Sequence, residues 1–296
     1  MEPRITELTG ADGVRLTGHW WPAAKPSAAG TVIINPATGV HARYYHRYAA
    51  YIAARGFAVL TYDYRGIGLS RPETLKGSTF TWRQWGEQDF DAALRHALDL
   101  DCTGRVLVVG HSIGGFLPGY SPASNQIAAM LSVGGQFGYW RDYARTRRLP
   151  LFLKWHVAMP AMTLALGYFP GKRLGWLEDL PKGVAYGWGL QQDRAEQGLS
   201  GQAAEVMRER FAGVATPILS VTMTDDEFAT PKAIRRAMRY YSRAPVTKIL
   251  LSPKDLGLAR VGHFDLFHAR HEEGFWRQSL DFLREGRNPW ADRVYI

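Results

Sequence analysis

The feature that most limits what this chain can fold into is a recurring pair: a short β-branched run, then a stretch with helical periodicity. TVIIN at 31–35 ends at Pro36 and Gly39, as a buried strand entering a loop does. YYHRYAAYIAARG follows with apolar residues at helical spacing and Gly56 as its C-cap. FAVLTYD (57–63) is the next strand; a helix over 83–100, the strand RVLVVG (105–110), a helix opening near Ser112 and the strand AAMLSVGG (128–135) come after it. Strand, crossover and strand in repetition dictate a mostly parallel sheet with helices on both faces. Ahead of it, RITEL and VRLTGHWW flank Asp12-Gly13 as an antiparallel hairpin.

The alternation lapses after 135 and resumes with TPILSVTM (216–223), a helix over 231–242, the strand VTKILLS (246–252) and an amphipathic terminal helix around FWRQSLDFLREG. A chain of 296 residues accommodates one large domain with an insertion. The expected division is therefore a core of 1–135 and 213–296 with a helical cap, or lid, at 136–212. The interval contains Trp140, Trp155, Trp176 and Trp188 and the apolar segment 149–169. Pro150, Lys154, His156 and Pro160 interrupt that segment, which argues against a membrane-spanning helix.

Composition removes several classes. Hydrophobic residues at 46% and charged residues at 21% are those of a folded soluble protein rather than a disordered one. Cys102 is the only cysteine, so neither an internal disulfide nor a cysteine-rich metal site is expected. The net charge of +9 comes without a basic recognition helix or zinc-finger spacing, and no nucleic-acid partner is expected. The charge serves solubility, with attraction of anionic substrates or membrane surfaces as a second use, and RTRR (145–148) reads as a solvated cluster. The first residues lack a secretory pattern, so the expected location is cytoplasmic.

Ligands of parallel sheets bind at the carboxyl ends of the strands, and three chemical groups fall there. GHSIGG (110–115) matches G-x-S-x-G, a sharp strand-to-helix turn that lifts Ser112 above the sheet edge. A serine hydroxyl needs a base to take its proton, and that base needs a carboxylate to fix its tautomer. TMTDDEFATP supplies Asp225 and Asp226 after one strand, and VGHF supplies His263 after the last. Asp226 falls where the strand-terminal acid of this arrangement lies, and Asp225 is its competitor. His111 adjoins the serine and is read as supporting the turn, while His41 and His46 follow the first parallel strand as candidate pocket residues. The oxyanion of an acyl intermediate needs fixed donors: the backbone N–H of Ile113 and, because Pro36 has none, that of Ala37 in NPATG.

NPATG, DYRGIGLS (63–70), GHSIGG, DDEFATP and VGHF occur in order over nearly the whole chain outside the cap, and together they resemble the α/β-hydrolase superfamily. The pattern is most similar to predicted hydrolases near serine aminopeptidase-like and monoacylglycerol-lipase-like members. The resemblance implies the α/β-hydrolase fold, a Ser112–Asp226–His263 triad, an oxyanion hole at Ala37 and Ile113, and a packing role for DYRGIGLS. Two departures stand out: Asn35-Pro36 replaces the family's frequent His-Gly, and the HGGG block of one lipase and esterase branch is absent.

The expected function is cleavage of a carboxylic ester or thioester through an acyl-enzyme, without metal or organic cofactor. The substrate is a small acyl compound, apolar if the cap aromatics line its pocket; the same aromatics could instead pack the cap onto the core. An amide or peptide hydrolase and an acyltransferase share the triad, but the cap has few acids to hold a substrate amine, mainly Glu178 and Asp179, which weakens the former. A non-catalytic ligand-binding module of the same fold is the alternative of another class, and docking of 149–169 on a membrane surface is a further use of the cap.

Overall fold

A computed structural model describes residues 2–24 and 29–296. The apolar runs become strands β1 (Arg4–Thr9), β2 (Arg15–Trp21), β3 (Thr31–Asn35), β4 (Ala58–Tyr62), β5 (Val106–His111), β6 (Ile127–Val133), β7 (Ile218–Met223) and β8 (Val246–Leu251). They form one sheet in the order β1-β2-β4-β3-β5-β6-β7-β8. The first hairpin is antiparallel and joins β4 antiparallel; every other pairing is parallel. Helices α1 (His46–Ala53) and α7 (Arg277–Glu285) bury Tyr48, Ile52, Leu280 and Leu283 against one face. Helices α2 (Asp91–Leu100), α5 (Gly201–Gly213) and α6 (Pro231–Met238) bury Leu94, Phe211 and Ile234 against the other. Covered on both sides, β3 and β5 are buried at every residue, which is why they read as unbroken apolar runs.

The chain after Ser112 departs from expectation, because two 3₁₀ turns, Ser112–Gly115 and Leu117–Tyr120, stand where an α-helix was anticipated. Pro118 is the cause. It has no N–H to return to the carbonyl of Gly114 four residues earlier. Asn35 Nδ2 donates to that carbonyl instead, at 3.2 Å, and Tyr62 Oη fixes Asn35 by donating to its Oδ1 at 2.8 Å. Asn35, the departure from the family's histidine, thus pins the turn that carries the serine.

Between β6 and β7 the chain is helical, with α3 (Arg148–Leu166), α4 (Lys182–Gly189) and α5. Two details differ from the sequence reading. The segment around 149–169 is one continuous helix, long and apolar enough by length and composition to cross a membrane. Its prolines are absorbed: a π-turn over Leu153–Ala158 sends the Met159 N–H back five residues to Lys154 O just ahead of Pro160. The insertion also ends before 212, since α5 lies in the helical layer of the core. Phe211 packs on Phe116 and Tyr241, and Arg210 reaches Tyr120 O and Glu87.

Candidate active site

Ser112 has φ +55°, the only non-glycine residue with positive φ among the described residues. Such a backbone costs on the order of 1–3 kcal/mol and persists only where neighbours enforce it. Here they do. A Cβ on Gly110 would sit 2.3 Å from Gly114 O, and one on Gly114 would sit 2.4 Å from Asn35 O. Both glycines are therefore required by close backbone approach.

Asp226 and His263 meet as expected, with His263 Nδ1 2.7 Å from Asp226 Oδ2. The other oxygen, Oδ1, accepts from the amides of Phe228 and Ala229, each at 2.8 Å. Burial pushes the Asp226 carboxyl up, but His263 and these two amides more than offset it and hold the group below the ordinary carboxylate range. An ionised Asp226 accepts the Nδ1 proton of His263 and leaves Nε2 as the basic nitrogen. Asp225 points elsewhere: its Oδ2 accepts from Val261 N at 2.9 Å and braces the loop that delivers His263.

Ser112 and His263 line one cavity of about 240 Å³, together with Ile113, Ala37 and Thr38. Among the described residues the serine–histidine hydrogen bond is not formed. Ser112 Oγ instead accepts from Gln136 Nε2 at 3.5 Å. Gln136 follows β6, and sequence reasoning passed over it although its place at a strand's carboxyl end was the available signal. Its Oε1 accepts from Gly138 N, so its amide nitrogen faces the serine.

Ala37 stands in the cavity wall, but its N–H already donates to Tyr45 Oη at 3.0 Å. Tyr45 Oη lies 2.7 Å from His111 Nδ1, and His111 Nε2 lies 2.9 Å from the carbonyl of His263. A carbonyl only accepts, so His111 carries its proton on Nε2 and receives the tyrosine proton on Nδ1. His111 thus supports the turn, as expected, and links it to the His263 backbone. His41 and His46 do not line the cavity. His41 Nε2 lies 3.0 Å from Glu178 Oε1, and His46 packs edge-on against His19 and Trp21.

Burial lowers the His111 pKa from its ordinary value to about 3. Below about pH 6.5 the unfolded chain takes up a proton that the folded one refuses, so stability falls as pH falls from there toward 3. For one group the slope approaches about 1.4 kcal/mol per pH unit. His111→Gln keeps one donor and one acceptor without a titrating proton. Urea unfolding of this variant between pH 6.5 and 4 is expected to show a flatter acid limb than wild type, and parallel limbs would refute the neutral relay.

Six aromatic side chains line the cavity, Trp155, Trp176 and Trp188 from the insertion with Trp82, Phe228 and Phe264, and Arg147, Lys154 and Glu227 bring charge to its wall. Trp140 is not among them and packs on Phe152. Glu178 and Asp179 do not face a substrate amine. Glu178 meets His41, and Asp179 pairs with Arg71 at 2.9 Å, which ties the insertion to the core. DYRGIGLS is structural, with Asp63 accepting from the amides of Ala42 and Leu69 and Arg65 buried between Asp12 and Asp89. Among the described residues no three His, Cys, Asp or Glu side chains are grouped to hold a metal ion.

The class that this sheet and its strand-end site define is the α/β-hydrolase fold. The chain belongs to the alpha/beta hydrolase family, whose model matches residues 32–277. Solved structures agree on the fold. A soluble variant of monoglyceride lipase from Saccharomyces cerevisiae aligns with TM-score 0.68 at 14% identity, over 100% of this chain and 97% of its own. The α/β hydrolase GrgF from Penicillium sp. sh18 gives 0.61 at 19%, over 96% and 98%, and a Pyrococcus furiosus esterase 0.60 at 16%, over 97% and 91%. No curated protein matches the chain significantly.

Proposed function

We propose that this hydrolase is a serine esterase or thioesterase working through an acyl-enzyme on Ser112. The observation that carries the reading is a strained serine sharing one cavity with a histidine whose Nδ1 is held by a buried carboxylate. Ser112 Oγ attacks the acyl carbon while His263 takes its proton; the tetrahedral intermediate collapses as His263 protonates the leaving group. Water, deprotonated by the same histidine, then releases the acid.

The Ile113 N–H, at the first turn after the nucleophile, has no helical acceptor and is one oxyanion donor. Ala37 N–H is the second, exchanged from Tyr45 Oη to the oxyanion. A charged acceptor forms a hydrogen bond roughly twice as strong as a neutral one, which favours the exchange. Gln136 Nε2 supports the serine from the other side. The tryptophan-rich insertion serves as the cap and favours an apolar acyl group. With Glu178 and Asp179 paired to the core, and Glu227 in the cavity wall paired with Arg147 at 3.1 Å, an ester fits better than a substrate bearing a free amine.

The test is labelling with a fluorophosphonate probe, followed by an ester and thioester panel of increasing acyl length. Labelling at Ser112 and turnover that rises and then falls with chain length are expected. A protein that binds the panel without labelling or turnover would instead be a ligand-binding module.

A further inference from the structure

Helix α3 buries one side and leaves the other bare. Leu151, Trp155, Met159 and Thr163, four residues apart, turn into the fold, and Trp155 stacks on Trp188 with ring centroids 4.4 Å apart. On the opposite side Leu149, Leu153, Val157 and Leu164 are 66%, 51%, 47% and 76% exposed. An apolar ridge of this length on a helix otherwise anchored in the fold marks a surface that meets something apolar.

Charge identifies the occupant. From residue 143 to 177 there is no acidic residue, while Arg145, Arg147, Arg148, Lys154, Lys172 and Arg173 give +6 of the chain's net +9. Three of these arginines precede or open α3, and at its far end exposed Lys76 lies against Gly167. Arg147 pairs with Glu227 at 3.1 Å, Arg148 donates to Tyr143 O, and Lys154 Nζ lies over the Trp155 and Trp176 rings, so Arg145, Lys172 and Arg173 are the remaining exposed charges of this strip. A strip of this charge repels a second copy of itself and attracts a negatively charged surface. An apolar helix face framed by basic residues is the signature of a segment lying in a membrane interface. The buried face of α3 makes it part of the folded wall, so it would lie along the bilayer rather than cross it.

We propose that the outer face of α3 docks this protein on an anionic lipid bilayer. Pro150, Leu151 and Lys154 also line the cavity, so the docked face is the one beside its wall. The proposal concerns binding and is measured without turnover, so it stands or falls separately from the esterase reading.

The test is vesicle flotation of the Ser112→Ala protein, which cannot consume lipid by the proposed route. Vesicles of phosphatidylcholine alone are compared with phosphatidylcholine mixed with phosphatidylglycerol. Partition into anionic vesicles is expected to exceed that into neutral ones by at least about tenfold at low salt and to drop at high salt. Arg145→Ser and Arg173→Ser should each lower it about fivefold. Leu153→Glu with Val157→Glu should lower it by about tenfold or more, with thermal unfolding unchanged because both positions are exposed. Absence from the anionic vesicle fraction at low salt, or equal partition into both vesicle types, overturns the proposal. So does self-association that the double substitution abolishes, which would assign the ridge to a second copy of the chain.

Discussion

Ser112→Ala is expected to lower ester turnover by about three to six orders of magnitude, with KM little changed. In the proposed reaction the hydroxyl is the attacking atom, and no other described serine shares the cavity with His263. What survives is the contribution of the oxyanion donors and of binding alone. The substitution is a clean one for the fold, because alanine at φ +55° bears the same left-handed strain as serine and Ser112 Oγ has only one long hydrogen bond. Measured kcat within about tenfold of wild type, in a protein of unchanged unfolding midpoint, would remove Ser112 as the nucleophile.

Asp226→Asn is expected to cost about 10⁴-fold in kcat, and the geometry says why. Oδ1 accepts two backbone N–H groups, from Phe228 and Ala229, so asparagine keeps its oxygen there and turns its NH₂ toward His263. Nδ1 must then accept, the proton moves to Nε2, and the histidine no longer has a lone pair for the serine proton. Asp225→Asn is the internal control. Its carboxylate holds only the Val261 amide, and a loss below about threefold is expected, within the range of a loop support. Equal losses at the two positions would mean that the acid was assigned to the wrong neighbour.

The candidate site was legible in the sequence because its residues sit where strands end. Period and punctuation locate strand ends well, so Ser112, Asp226 and His263 could be placed at one edge of the sheet, where Ser112 and His263 line the cavity and Asp226 meets His263. Sequence favoured Asp226 but left Asp225 in competition, because the two are adjacent on one short loop and only the partner each side chain meets separates them. The relay through Tyr45 and His111 was not legible. Its partners lie 66 and 152 residues apart and follow from the crossing of β3, β5 and the last loop, which no local pattern encodes. The continuity of α3 was hidden for a different reason. Proline normally ends a helix, and only the π-turn before Pro160 shows that the lost bond is bypassed.

The two 3₁₀ turns after Ser112 change how charge is handled above the sheet. A long α-helix starting there would aim the positive end of its summed peptide dipoles, roughly half an elementary charge, at the forming alkoxide. Two four-residue turns separated at Phe116 align too few peptides to build that field. In the proposed acyl transfer, negative charge is then met by individual protons at short range rather than by a diffuse potential. Such a site depends on the placement of a few donors, and it should be less sensitive to ionic strength than to a shift of a few tenths of an ångström in the loop that Asn35 holds.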